Sequence, residues 1–281
     1  MSLRDEANKL IGRNADSLTR LIMANVIVFI LANILHAIPA TANWVDYISL
    51  PSSFQLLARQ PWSLFTYMFV HISFMHILFN MLWLYWMGII FTDFLGKTRL
   101  VYTYILGGIA GGLLYVIVST IFTPGTFGLL IGASAGIMAV IVATAMLVPD
   151  YELMLLFFGR VKLKYLAIAA FILTTIIDLN ENTGGKVSHI GGAIYGAIFM
   201  WQYKKGLDIS GGFGNFVNSI GNFFTRKNRK ARPLKTKGKV VNMYDKQKRI
   251  DEILDKISRS GYDSLSKDEK DFLFKTSKEK K

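Results

Sequence analysis

Six long runs of apolar residues fill the sequence between Leu21 and Tyr203, and nothing else restricts the fold as much. They extend from about Leu21 to Ile38, Ser73 to Phe91, Leu100 to Ile121, Leu130 to Val148, Tyr165 to Ile177 and Val187 to Tyr203. A helix needs roughly 20 mostly apolar residues to cross the hydrocarbon core of a bilayer. At that depth every backbone N–H and C=O must find its partner inside the protein, which leaves helices or closed barrels. The expected fold is an all-α membrane protein, a bundle of six transmembrane helices. Hydrophobic residues make up 52% of the 281, but it is their clumping that sets aside a soluble fold. After the first run, Ala40-Thr41-Ala42 has the small residues of a signal cleavage site. The segment before that run is about 20 residues long and acidic in places, and the run exceeds a signal core, so it reads as a retained anchor.

Charge orients the bundle. Arg4, Lys9, Arg13, Arg20, Lys97, Arg99, Arg160, Lys162, Lys164, Lys204 and Lys205 fall at the ends on one side. Only Arg59 and Lys186 fall on the other. The positive-inside rule then puts both termini in the cytoplasm. From Lys204 onward the chain has 21 Lys+Arg against 10 Asp+Glu, so most of the net charge of +13 sits in the tail. A basic tail directly after a span points to anionic lipid head groups, and no nucleic-acid partner is expected. There is no cysteine, which excludes a disulfide framework, a Cys-ligated metal site and a cysteine nucleophile.

The chain divides into a cytoplasmic N-terminus (1–17), a six-helix membrane domain (18–205), a basic Gly/Phe-rich linker (206–242) and a small helical hairpin (243–281). Residues Pro39 to Ile72, with Trp44, Tyr47, Phe54, Trp62 and Phe65, form a semi-polar connection suited to the membrane interface. The run Leu153 to Phe158 is too short to cross and is expected on the cytoplasmic surface. In the tail, Ile250, Ile253, Leu254 and Ile257 recur at helical spacing from Asp245 on. Gly261 stops that helix, and Ser266 with Glu269 has the spacing of a capping box for a second.

Polar side chains inside a membrane are costly and suggest function. The second, fourth and sixth runs enter from the outer face, and their first turns hold His76 and Asn80, Ser134, and His189. At about 1.5 Å per residue these groups share one depth. His76 and Asn80 lie four residues apart on one helix face, as do His189, Gly192 and Gly196 at intervals of three and four. Gly132 and Gly136 flank Ser134 as a small-xxx-small pair, which lets backbones approach closely enough for a serine to reach a neighbouring helix. Packing alone could account for any one of these features. Their coincidence at one level on alternate helices is what packing explains poorly.

A serine hydroxyl needs a base, and His189 suits that role at neutral pH. Backbone N–H groups and the dipole at a helix start favour a developing oxyanion at Ser134, and His76 and Asn80 can donate to the same oxygen. Of the carboxylates near span ends, Asp93, Asp150, Asp178 and Glu181, the first two fall at the wrong face, so a dyad is expected rather than a triad.

These residues resemble the rhomboid family of intramembrane serine proteases. The resemblance rests on His76 and Asn80 preceded by His71, on Gly132-Ala133-Ser134-Ala135, and on His189, Gly192 and Gly196, in that family's helices two, four and six respectively. It covers residues 18 to about 203. It implies a bacterial-type six-helix fold in the cytoplasmic membrane and a water-filled cavity opening outward. Ser134 would be the nucleophile, His189 the base, and His76, Asn80 and the Ser134 backbone the oxyanion hole. His71, Gly132, Gly192 and Gly196 would support them, with no cofactor and no metal. Single-span membrane proteins would be the substrates. Two positions depart from the family: Trp62 is followed by Ser63 where arginine is common, and Met138 stands where an aromatic often follows the serine by four. An inactive relative that binds and routes membrane proteins is the alternative. A transporter or haem protein using His76 and His189 as ligands is disfavoured by the absence of HExxH and of paired intramembrane acids.

Overall fold

A computed structural model describes residues 16–38, 44–155, 159–176, 183–209, 211, 213–214 and 237–278. The described chain falls into two compact units, one formed by residues up to Met200 with 209–221, the other by 201–208 with the chain from Asn222 on.

In the first unit, α1 spans Ser17–His36, started by Asp16, whose carboxylate accepts the Thr19 N–H at 2.8 Å. Its Leu18, Leu21, Asn25 and Ala32 face inward, while Ile27, Ile30, Leu31 and Ile34 are exposed. The same outward display of large apolar groups recurs at Phe79, Trp86, Ile117, Ile168, Ile194 and Ile198. A water-facing surface rarely carries so much contiguous hydrocarbon, whereas lipid accepts it. The chain is thus an integral membrane protein.

The connection after α1 is folded. It contains α2 (Trp44–Ile48), α3 (Phe54–Arg59), α4 (Ser63–Thr66) and a 3-10 turn, Tyr67–Phe69. The Trp62 indole N–H donates to Tyr47 O at 2.8 Å and the Thr66 hydroxyl to Ile48 O at 2.7 Å. Ser63 is fully buried. Tyr67 donates to Gly108 O at 2.6 Å and Tyr104 to Met68 O at 2.9 Å, fastening this segment to the next long helices.

Those helices are α5 (Phe74–Leu95) and α6 (Lys97–Ile121), broken at Gly96, whose φ of +83° suits glycine. Helix α7 (Ser134–Leu147) is the core helix, with every residue from Ala135 to Ile141 buried. Glycines on its neighbours explain how they come so near. A Cβ at Gly107 of α6 would strike Ala139, and one at Gly192 or Gly196 would strike the carbonyl of Ala135 or Ala139. After α7 comes an antiparallel hairpin, β1 (Glu152–Leu155) with β2 (Gly159–Lys162). Then follow α8 (Leu163–Phe171), which continues into a π turn over Ile172–Ile176, and α9 (Thr183–Lys204).

Three described helices, α1, α5 and α6, are long and apolar enough to cross a membrane; α7 and α8 with its π turn are apolar but shorter. At 22 residues α9 has the length, but it carries Lys186, Ser188, His189 and several glycines. Three elements differ here from the sequence reading. Helix α9 starts at Thr183 rather than Val187, so His189 lies in its second turn. The fourth helix begins at Ser134 rather than near Leu130, because Leu130 pairs as a β-bridge with Leu50 and Gly132 sits at φ +113°, outside helical space. The short apolar run from Leu153 begins in a strand, paired Leu153 to Val161 and Leu155 to Gly159. Asp150 binds Lys164 at 2.8 Å and Lys162 at 3.2 Å beside it, and both ammonium groups hold its carboxyl below the usual range.

In the second unit, α10 (Lys237–Ser260) starts ahead of the Asp245 expected from periodicity, ends at Gly261 (φ +77°) and is followed by α11 (Lys267–Lys278). Ser266 N–H donates to Glu269 at 2.7 Å and Glu269 N–H to Ser266 Oγ at 3.3 Å, a reciprocal cap. Ile253 and Leu265 are buried between the two helices, and Lys256 meets Glu269 at 2.9 Å.

Candidate active site

The site is built where α7 starts. Gly132 N–H donates to Tyr67 O at 2.9 Å, and Leu50 and Leu130 exchange two backbone bonds of 3.0 and 2.8 Å. These bonds hold the chain extended until Ala133, so Ser134 becomes the first residue of the helix. An L-residue fits poorly at Gly132 for two reasons: its φ is +113°, and a Cβ there would come within 2.8 Å of the His76 ring. The ring of His76 therefore lies against the backbone two residues ahead of Ser134.

Helix α9 brings the partner. Gly192 and Gly196 let it lie against α7 at backbone distance, and one turn earlier His189 Nε2 stands 2.7 Å from Ser134 Oγ. The other ring nitrogen, Nδ1, is 3.1 Å from the carbonyl oxygen of Thr174, in the π turn. His189 is 9% exposed and Ser134 half-buried, so the pair is sheltered with Ser134 partly open. Met138, one turn after Ser134, is buried.

Asn80 and His71 form a second cluster alongside. His71 is 0% exposed, and its Nε2 lies 3.4 Å from Ala133 N and 3.2 Å from Asn80 Nδ2. Because the Ala133 N–H can only donate, Nε2 holds a lone pair and His71 is neutral, with Nδ1–H directed at Phe69 O, 3.3 Å away. The rings of His71 and His76 meet edge to face with centroids 4.9 Å apart. Thus Ser134 and His189 meet where α7 begins, the His76 ring lies against Gly132, His71 reaches Ala133 and Asn80 reaches His71, while Gly192 and Gly196 carry α9 past Ala135 and Ala139 further along α7.

Sequence reasoning gave His71 only a supporting place and gave Thr174 none. A signal for His71 exists, since it is the one other histidine near His76. The Thr174 contact is made by a main-chain atom and has no side-chain signature. Of the four carboxylates weighed, Asp178 and Glu181 lie outside the described residues, and Asp150 is held by Lys164 of α8 and Lys162 of β2. No group of three or more His, Cys, Asp or Glu among the described residues could hold a metal.

The arrangement can hold a serine oxygen against an imidazole nitrogen at the positive end of a helix, which suits attack on a carbonyl and stabilisation of the resulting oxyanion. In comparisons with known proteins, the family model described as Rhomboid domain matches residues 58–205. A second, described as a family of unknown function (DUF6576), matches residues 241–279. No curated protein matches the chain.

Proposed function

The chain belongs to the rhomboid family, and on that premise we propose that it is an intramembrane serine endopeptidase acting on transmembrane segments of other membrane proteins. The observation that carries this reading is the 2.7 Å approach of Ser134 Oγ to His189 Nε2. Ser134 is the nucleophile and His189 the general base. In the first step Oγ bonds to the substrate carbonyl carbon while its proton passes to Nε2. The tetrahedral oxyanion forms at the start of α7, beside the Ser134 N–H, with His76 and Asn80 assigned as its further donors. Collapse expels the amine, which takes the proton from Nε2, and water then hydrolyses the acyl-enzyme by the same exchange.

Helices α1, α5, α6, α7, α8 and α9 are read as six crossings of a bacterial cytoplasmic membrane, with both termini cytoplasmic. The basic residues at one set of helix ends support that orientation. Single-span proteins are the proposed substrates. A helix hides its carbonyls in hydrogen bonds, so a segment that unwinds readily is the one this site can cut. Contact of the basic tail with anionic lipid head groups is part of the same reading.

The test is cleavage of a fluorescent transmembrane reporter in reconstituted vesicles. Ser134→Ala is expected to lower the rate by about 10³-fold or more. Equal rates for wild type and Ser134→Ala would contradict the assignment.

A further inference from the structure

A serine–histidine pair functions only when the neutral imidazole keeps its proton on Nδ1 and offers the lone pair of Nε2 to the serine. In serine triads a carboxylate enforces that tautomer. Here Nδ1 faces the backbone carbonyl of Thr174 at 3.1 Å. A carbonyl oxygen can only accept, so Nδ1 is the donor and Nε2, 2.7 Å from Ser134 Oγ, is the acceptor.

We propose that the Thr174 main-chain carbonyl is the positioning group of the Ser134–His189 pair, and that the π turn Ile172–Ile176 exists to present it. Its use in catalysis rests on the protease reading; its effect on the ring does not. Two observations support it. The π turn over Ile172–Ile176 widens the helix locally, a rare geometry that is frequent at functional sites. The Thr174 hydroxyl donates to Ala170 O at 2.8 Å, so the side chain is engaged elsewhere and it is the main-chain carbonyl of Thr174 that meets the histidine.

The direction of charge also agrees. When the Oγ–H bond breaks and Nε2–H forms, the ring becomes a cation. The Nδ1–H···O=C bond is then charge-assisted and stronger.

The experiment replaces the amide joining residues 174 and 175 by an ester, through an α-hydroxy acid at position 175 of the full chain. This weakens the Thr174 carbonyl as an acceptor and keeps every side chain outside position 175. Proteins labelled with 15N-histidine report the tautomer directly, the His189 signal being the one lost in His189→Asn. Wild type is expected to show the Nδ1–H form and the ester variant a mixture, with kcat lowered about tenfold and KM within about twofold. Thr174→Val, which removes only the bond to Ala170, should retain the Nδ1–H form. An Nε2–H tautomer in wild type, an ester variant with unchanged signal, or an equal loss in Thr174→Val would overturn the proposal. Because the tautomer is read without substrate, an inactive but Nδ1–H protein would instead count against the protease reading alone.

Discussion

The distance of 2.7 Å between Ser134 Oγ and His189 Nε2 is set by residues that have no reactive group of their own. Gly132 is the clearest case. Its φ of +113° and the His76 ring against its Cα leave no room for a side chain. Gly132→Ala should cost roughly 1–3 kcal/mol in backbone strain and displace His76. We expect it to lower reporter cleavage more than thermal stability in detergent, measured on the same preparation. Much of this constellation was legible beforehand. Counting residues from the outer ends put Ser134, His189, His76 and Asn80 at one depth, since helical rise is nearly constant. What counting could not supply was who bonds to whom. His71 has the Ala133 N–H and the Asn80 amide on one nitrogen, and a histidine in the connection ahead of a helix gives no hint of that. The Thr174 carbonyl is less visible still, because every residue has one.

Among the elements, α7 is shorter than a span needs, at about 21 Å for 14 residues. It tolerates that length because it is surrounded by protein: α6 and α9 approach it through glycines, and the extended residues before it are bonded to Leu50 and Tyr67. A larger residue at Gly192 would strike the Ala135 carbonyl, which belongs to the residue after Ser134. Gly192→Leu is therefore expected to force α9 away, lowering stability by about 1–3 kcal/mol or more and breaking the Ser134–His189 contact. A fall in melting temperature in detergent together with loss of reporter cleavage would be the signature; full activity would mean the two helices are not held as described. The apolar runs predicted helices well because hydrophobic length is a property of the whole segment. They failed at the hairpin, where four-residue strands give too little alternation to be seen, and at the start of α7, where one left-handed glycine outweighs the hydropathy around it.

At the level of the whole molecule, the membrane unit and the C-terminal hairpin obey different physics. The first is held by buried backbone contact and faces lipid; the second is small, charged and dependent on exposed polar bonds. In the hairpin, Lys256 and the Ser266 backbone hold the Glu269 carboxyl below its ordinary range. Its contribution is therefore complete above the usual carboxylate range and is lost as pH falls through the lowered value. Hydrogen exchange across residues 262–278 of the full chain should accelerate on acidification, and Glu269→Gln should flatten that dependence. The membrane site makes the more decisive claim, that one serine is activated by one histidine. Labelling with a fluorophosphonate probe, read by mass spectrometry of the modified peptide, addresses it without any knowledge of the substrate. The account predicts modification at Ser134 in wild type and its loss in His189→Ala; a wild type that stays unmodified at Ser134, or a His189→Ala variant labelled as fast, would contradict it.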